Sequence, residues 1–298
     1  MKHSFIKETP GEKIGHTVIA VLLILFAAVM VIPMLYIFST SLSPTPAVAR
    51  YGMLLFPRYG LDFSTVGLML DRSSGIFHAY GNTVIITVAG TAIGLTVSSM
   101  LGYVISKSYL PGVKIYKGSL IFTMLFGGGL IPTYLVIRWL GWIDTYWAMI
   151  IPGIVSTYNV MLLMRYFESI PPSLEESAKI DGANDIHIFF AIYVPVSVPI
   201  LLTIGVFLFD AYWNSWFGPY MYINKDKLLP VQCLLRQLMQ SNRFSDLASG
   251  QHATEISAKP NTQLQCSVIV VTVIPLLVIF PFIQKYFVKG VMLGAVKE

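Results

Sequence analysis

Two short stretches hold residues whose types and spacing could do chemistry. The first is residues 171–184. Pro171 and Pro172 stop any preceding helix, because proline lacks the backbone N–H and its ring clashes with the turn before it. Ser173 is a suitable N-cap, and Glu176 three residues on would complete a capping box. Glu175 and Lys179 stand four apart, as a helical ion pair requires. Gly182 suits the left-handed position beyond a helix end. The spacing predicts a two-turn helix over 173–182. Leu174, Ser177, Ala178 and Asp181 share one side of it, and that side is largely small, so another surface could approach closely. This is the chemistry of docking; no catalytic residue and no metal ligand is expected. The second stretch is Tyr212, Trp213, Asn214, Ser215 and Trp216, where rings alternate with hydrogen-bonding side chains. A flat apolar ring face beside an amide or hydroxyl suits a hydroxylated ligand. The competing reading is an interfacial belt of amphipathic rings. Tyr158 and Asn159 could likewise contact hydroxyl groups, or could hydrogen-bond between helices.

Composition says what carries these residues. Of 298 residues, 55% are hydrophobic and 12% charged, with mean hydropathy +0.69. Ordinary soluble domains are about 45–50% apolar and about 25% charged. That excludes a soluble enzyme, a disordered chain and a nucleic-acid module, and predicts a polytopic membrane protein. Six stretches lack Asp, Glu, Lys and Arg: 17–38, 83–105, 119–137, 146–164, 188–209 and 264–283. Each is long enough, at about 1.5 Å per residue, to cross a hydrocarbon core of roughly 30 Å. The run 17–38 is longer than the apolar part of a signal peptide, and no small-residue cleavage site follows it. With the N-terminus inside, eleven Lys and Arg residues fall in inner segments, against Arg138 alone in the short outer loop between spans three and four. The positive-inside rule therefore places both termini in the cytoplasm and 173–182 on the cytoplasmic side. Two outer segments are long. Residues 39–82 read as an irregular loop with one short helix. Residues 211–263 hold a helix from about 228 to 239 and a polar, mobile stretch over 241–260. All five tryptophans, Trp139, Trp142, Trp147, Trp213 and Trp216, then fall at the outer ends of spans.

Absences narrow the function further. No ionisable residue lies inside a span, as an ion-coupled carrier would need, and Asp210 sits at the outer end of span five. No ring-forming charge or filter-like segment suggests a channel. Gly127, Gly128 and Gly129 could break the helix of span three, but the commoner reading is a flexible or closely packed segment with Pro132 after it. No phosphate-binding G-x-x-x-x-G-K-[ST] loop occurs, so uphill transport would need a partner that hydrolyses ATP. Cys233 and Cys266 are too few for a disulfide framework and read as free thiols.

Glu176, Ser177 and Ala178, Gly182 four residues after Ala178, and then Ile192, Val194 and Pro195 resemble the EAA motif, E-A-A-x3-G-x9-I-x-L-P, of permease subunits in ABC importers. Ser177 for Ala and Val194 for Leu depart from it slightly. Asp181-Gly182-Ala183 and the Pro195, Pro199 pair are similar to the pattern of carbohydrate-uptake permeases of the MalG-like type, as is the segment 284–290 after the last span. The resemblance covers nearly the whole chain. It implies an all-α type I ABC importer fold: six transmembrane helices, a cytoplasmic coupling helix and a single transmembrane domain over 1–298. It further implies that Glu176, Ser177, Ala178, Asp181 and Gly182 couple the chain to an ATPase. The partners implied are two ATP-binding cassette subunits, a second homologous permease, an extracellular solute-binding protein, membrane lipid and an oligosaccharide substrate; no cofactor and no nucleic acid is expected. The segment with Tyr212, Trp213, Asn214 and Trp216 also resembles the aromatic stretch that ends span five in sugar permeases. Two rivals stay open, a permease for a non-sugar solute and a non-transporting scaffold of the same fold.

Overall fold

A computed structural model describes residues 10–71, 75–241 and 258–295, and among these residues every regular element is helical. Residues 242–257, most of the stretch expected to be mobile, lie outside the described residues. The chain divides into two compact units.

The first unit contains α1 (Pro10–Ser41), α2 (Thr45–Tyr51), α3 (Ser64–Met69) and the first part of α15 (Asn261–Ala295). The loop expected to hold one short helix thus holds two. Helix α1 exposes Val18, Leu22, Leu25, Phe26 and Val29 in turn, and none of its apolar window is buried inside the protein. A helix apolar on every face is a membrane span rather than a surface helix. Its C-terminal end is different: Ser39, Thr40, Ser41 and Ser43 are buried. There Thr40 Oγ1 accepts from the Leu54 amide at 3.0 Å, and the Gln263 amide group donates to the Ser43 carbonyl at 2.8 Å. Those bonds tie the loop and the start of α15 to the end of α1.

The second unit is built around α4 (Ile76–Ser106), which packs against α8 (Thr157–Glu168) and α12 (Val198–Trp213). Between apolar helices in lipid the drive to associate is close packing, and small residues permit it. A Cβ on Gly90 would come within 2.6 Å of the Tyr212 ring, and one on Gly102 within 2.9 Å of Leu163 Cβ. The core holds Ile86, Tyr103, Met149, Leu163, Phe167, Ile188 and Ile204. Asn82 anchors a loop onto α4: its Nδ2 donates to the Lys227 and Leu229 carbonyls at 2.8 and 3.1 Å, and its Oδ1 accepts from Tyr146 Oη at 2.7 Å. That positions α14 (Val231–Ser241), which begins three residues later than expected.

Spans three, four and five are each broken. Helix α5 (Val113–Leu125) turns by 112° into α6 (Leu130–Trp139) across Gly127–Gly129, so this glycine run is a break rather than a closely packed helical segment. Gly129 at φ +85° and ψ 171° occupies a region essentially closed to other residues. Helix α7 (Tyr146–Ile150) continues through the tight turn Ile151-Pro152-Gly153 and then bends by 49° into α8 across residues 154–156. The fifth span comprises α10 (Asp185–Ile188), a π-helical turn over Phe189–Tyr193, α11 (Val194–Val196) and α12, with an 85° bend at Ser197. Pro195 and Pro199 have no N–H to continue the hydrogen-bond ladder on either side of this bend. Cys233 and Cys266 are free and buried.

Candidate functional site

The helix expected over 173–182 is α9 (Pro172–Ile180). It starts one residue early because Pro172 itself takes the first helical position, where a missing N–H costs nothing. The N-cap is therefore Pro171, with no side-chain cap bond, and the capping box between Ser173 and Glu176 does not form. The C-terminal end is as the spacing requires. Asp181 is the C-cap, and Gly182 follows at φ +82°. The Gly182 amide donates to the Lys179 carbonyl at 3.1 Å and the Ala183 amide to the Ala178 carbonyl at 2.9 Å. Together these are the two bonds of a Schellman motif. Asn184 then caps α10, its Oδ1 accepting from the His187 amide at 2.8 Å.

Glu176, Ser177, Asp181 and Gly182 are exposed, and Ala178 is half-buried. Ala178, Asp181, Gly182, Asn184, His187 and Ile192 line a recess of about 430 Å³. Beside them Ile180 is 86% exposed and Ile186 69% exposed. Bare isoleucines next to a small-residue recess form a surface that a partner's side chains can fill.

Sequence reasoning missed what holds α9 in place. Glu175, not Glu176, turns inward, and it is the buried residue of the helix. Its Oε2 pairs with Lys107 Nζ and accepts from Tyr193 Oη at 2.9 Å, while its Oε1 accepts from Lys179 Nζ at 2.8 Å. Lys107 Nζ also donates to Tyr193 Oη at 2.6 Å and lies over the rings of Tyr103 and Tyr193, 4.3 and 3.9 Å from their centres. Burial pushes the Glu175 carboxyl up, but the hydrogen bonds from Lys107, Lys179 and Tyr193 outweigh it and bring the pKa down to about 2. Burial lowers the pKa of Lys107, with Glu175 opposing that shift, and the bond to Glu175 raises that of Lys179. Only the Glu175–Lys179 pair was visible as a local spacing. Lys107 read simply as one of the charges flanking a span, 68 residues away from Glu175.

The aromatic group is split between packing and exposure. Tyr212 is buried, its hydroxyl donating to the Ile150 carbonyl at 2.8 Å and its ring against Gly90. Trp213 is buried and stacks on Phe209 with ring centres 5.6 Å apart. Asn214 is exposed and donates to Asp210 at 2.8 Å. Trp216 is half-buried beneath the Arg236 guanidinium, 3.7 Å from the ring centre. Tyr158 is 55% exposed, while Asn159 is buried. Of this set, Asn214, Trp216 and Tyr158 offer surface to a ligand as the protein stands.

Residues 7–293 match a family described as binding-protein-dependent transport system inner membrane component. The chain is 38% identical to the polygalacturonan/rhamnogalacturonan transport system permease protein YtcP of Bacillus subtilis (strain 168), over 92% of this chain and 95% of that one. It is 25% identical to the arabinooligosaccharides transport system permease protein AraQ of Halalkalibacterium halodurans, over 91% and 92% of the two chains. Among solved structures it resembles a chain of a bacterial ABC transporter involved in the import of the acidic polysaccharide alginate. That match has a TM-score of 0.84 and 31% identity, and covers 94% of this chain and 99% of the other.

Proposed function

The chain belongs to the family of binding-protein-dependent transport system inner membrane components, and we propose that within it the protein is the permease that carries an oligosaccharide into the cytoplasm. It is a multi-pass membrane protein and a non-enzymatic subunit of an ABC importer, working with ATPase and binding-protein partners. In our reading there are two ATPase copies and a second homologous permease, and both termini are cytoplasmic. The observation that carries the substrate class is the 38% identity to the polygalacturonan/rhamnogalacturonan permease over almost the whole of both chains. The solved alginate importer and the arabinooligosaccharide permease support the same class.

In this reading α9 is the lever. Glu176, Ser177, Ala178, Asp181 and Gly182 present a small, exposed surface to a cleft on the ATPase. Closure of the ATPases displaces α9, and the Schellman turn and α10 pass that movement into the broken fifth span. The spans then change the side from which the sugar is reached. Tyr158, Asn159, Tyr212, Trp213, Asn214 and Trp216 mark the sugar's route: Asn214, Trp216 and Tyr158 contact it, and Asn159, Tyr212 and Trp213 shape the wall behind them. The membrane lipid covers the apolar outer faces of the spans.

The test is a complex reconstituted with its ATPase, partner permease and binding protein, given short oligogalacturonides or a neutral maltooligosaccharide. ATP hydrolysis stimulated by oligogalacturonides, with uptake into vesicles, is expected. Stimulation by neither sugar, in a complex that assembles normally, would overturn the sugar reading.

A further inference from the structure

Glu175 is the most deeply set residue of α9; beside it Ala178 is half-buried against the core and Lys179 Nζ donates to Tyr109 Oη at 3.2 Å. Ser173, Leu174, Glu176, Ser177 and Ile180 are all exposed, and Glu175 is the residue of α9 that is buried. A carboxylate and an ammonium are expensive to withdraw from water, and a buried pair survives only where good geometry and further hydrogen bonds compensate. Here the compensation comes from three separate elements. Lys107 caps the end of α4, Glu175 stands on α9, and Tyr193 closes the π-helical turn that precedes the 85° bend. Tyr193 Oη is bonded to both ions, at 2.6 and 2.9 Å, and its ring supports the ammonium. Without this cluster α9 would be held by the turns at Pro171 and Gly182, the edge packing of Ala178 and the exposed bond from Lys179 to Tyr109. Short turns allow a helix to pivot, whereas a network of charge-assisted bonds has one geometry. π-Helical turns are commonly found at functional sites.

We propose that Lys107, Glu175 and Tyr193 form a buried latch that makes α9 move as one body with the end of α4 and the π-turn of the fifth span. The inference rests on the transport reading, in which α9 is the lever. The three are positioning residues: they touch neither sugar nor nucleotide, and they act by converting displacement of α9 into rotation of the spans. A lever without the latch would tilt on its turns while the spans stayed still.

The test uses the assembled complex carrying spin labels on cysteines introduced at the exposed positions Ser108 and Ser173. The spin–spin distance is measured without nucleotide and after trapping with ATP and vanadate. With the latch intact, a single narrow distance is expected, unchanged between the two states. The double variant Lys107→Met with Glu175→Gln leaves no unpaired buried charge, so folding and assembly should survive. It should show a broadened distance that shifts between states, and the amount of oligogalacturonide moved per ATP should fall severalfold. A purely structural role would alter yield and thermal stability but not that ratio. A distance that changes on trapping in the latched protein overturns the proposal. So does a double variant with a narrow distance and the original ratio. Should the double variant fail to assemble, Tyr193→Phe removes one hydroxyl and keeps the ring; an unchanged distance and ratio there overturn the proposal equally. A latched complex that binds no ATPase or moves no sugar refutes the transport reading instead. The nucleotide-free distance, narrow with the latch and broad without it, still tests the latch in that case.

Discussion

Gly182 holds φ +82° with nothing within 4 Å of the place a Cβ would occupy, so backbone conformation and not space decides which residue can stand there. Gly182→Val should strain the turn by about 1–3 kcal/mol, because a β-branched residue resists the left-handed region. Gly182→Asn should lose much less, since asparagine visits that region readily. Uptake by reconstituted complexes is expected to follow this order while membrane insertion stays normal in both. Glu175 invites a different measurement. Its carboxyl titrates near 2 rather than at the ordinary 4.5. A depressed folded-state pKa contributes stability that is complete above the unfolded value and lost as pH falls towards the folded one. Thermal unfolding in detergent should therefore show a loss of stability between about 4.5 and 2, and Glu175→Gln should flatten that part of the profile. The Glu175–Lys179 pair and Gly182 were legible because helix periodicity and turn chemistry are local. The pairing of Glu175 with Lys107 was not, because it depends on the packing of α9 against the end of α4.

At the scale of elements, three of the six charge-free stretches fall on helices long and apolar enough to cross a membrane, and the other three fall on bent helix pairs. The break in span three was open as the lesser reading of its glycine run, and those in spans four and five were hidden. Gly127–Gly129, Pro152 and Pro195 sit within apolar runs, and composition alone does not distinguish a close-packed glycine from a break or a kink from an 85° bend. The failed capping box has a local cause, because Pro172 takes the first helical position and leaves Ser173 inside the helix. Helix-to-helix contacts make a sharp contrast among the glycines. Gly90→Ala would place a methyl within 2.6 Å of the Tyr212 ring, an overpacking expected to cost about 1–3 kcal/mol. Gly118→Ala, in the helical interior of α5 with nothing within 4 Å, should be neutral or stabilise by roughly 0.5–1 kcal/mol. Melting of the two purified variants in one detergent compares them directly.

For the whole molecule, the sidedness read from Lys and Arg gives a prediction that the burial of both cysteines simplifies. Cys233 and Cys266 are 0% and 3% exposed, so an impermeant thiol reagent should leave the unmodified protein unlabelled. A cysteine at Asp226, an exposed position between α13 (Phe217–Tyr222) and α14, should label on intact cells. One at Ser173 should label only after the cells are opened, and labelling from outside would reverse the orientation. The break at Gly127–Gly129 has a consequence for what surrounds the protein. Phe126, which follows α5, is the last residue whose amide returns to that helix, and the next three amides find no backbone acceptor among the described residues. These glycines are exposed, in a segment whose neighbours are apolar enough to lie at membrane depth. Hydrocarbon accepts no hydrogen bonds, and each unsatisfied group in it costs several kcal/mol. Acyl chains are therefore poor neighbours for this short arc of the surface. In the assembled importer it must be wetted or covered by another subunit, which makes it a fixed point for deciding how the protein is turned within its complex.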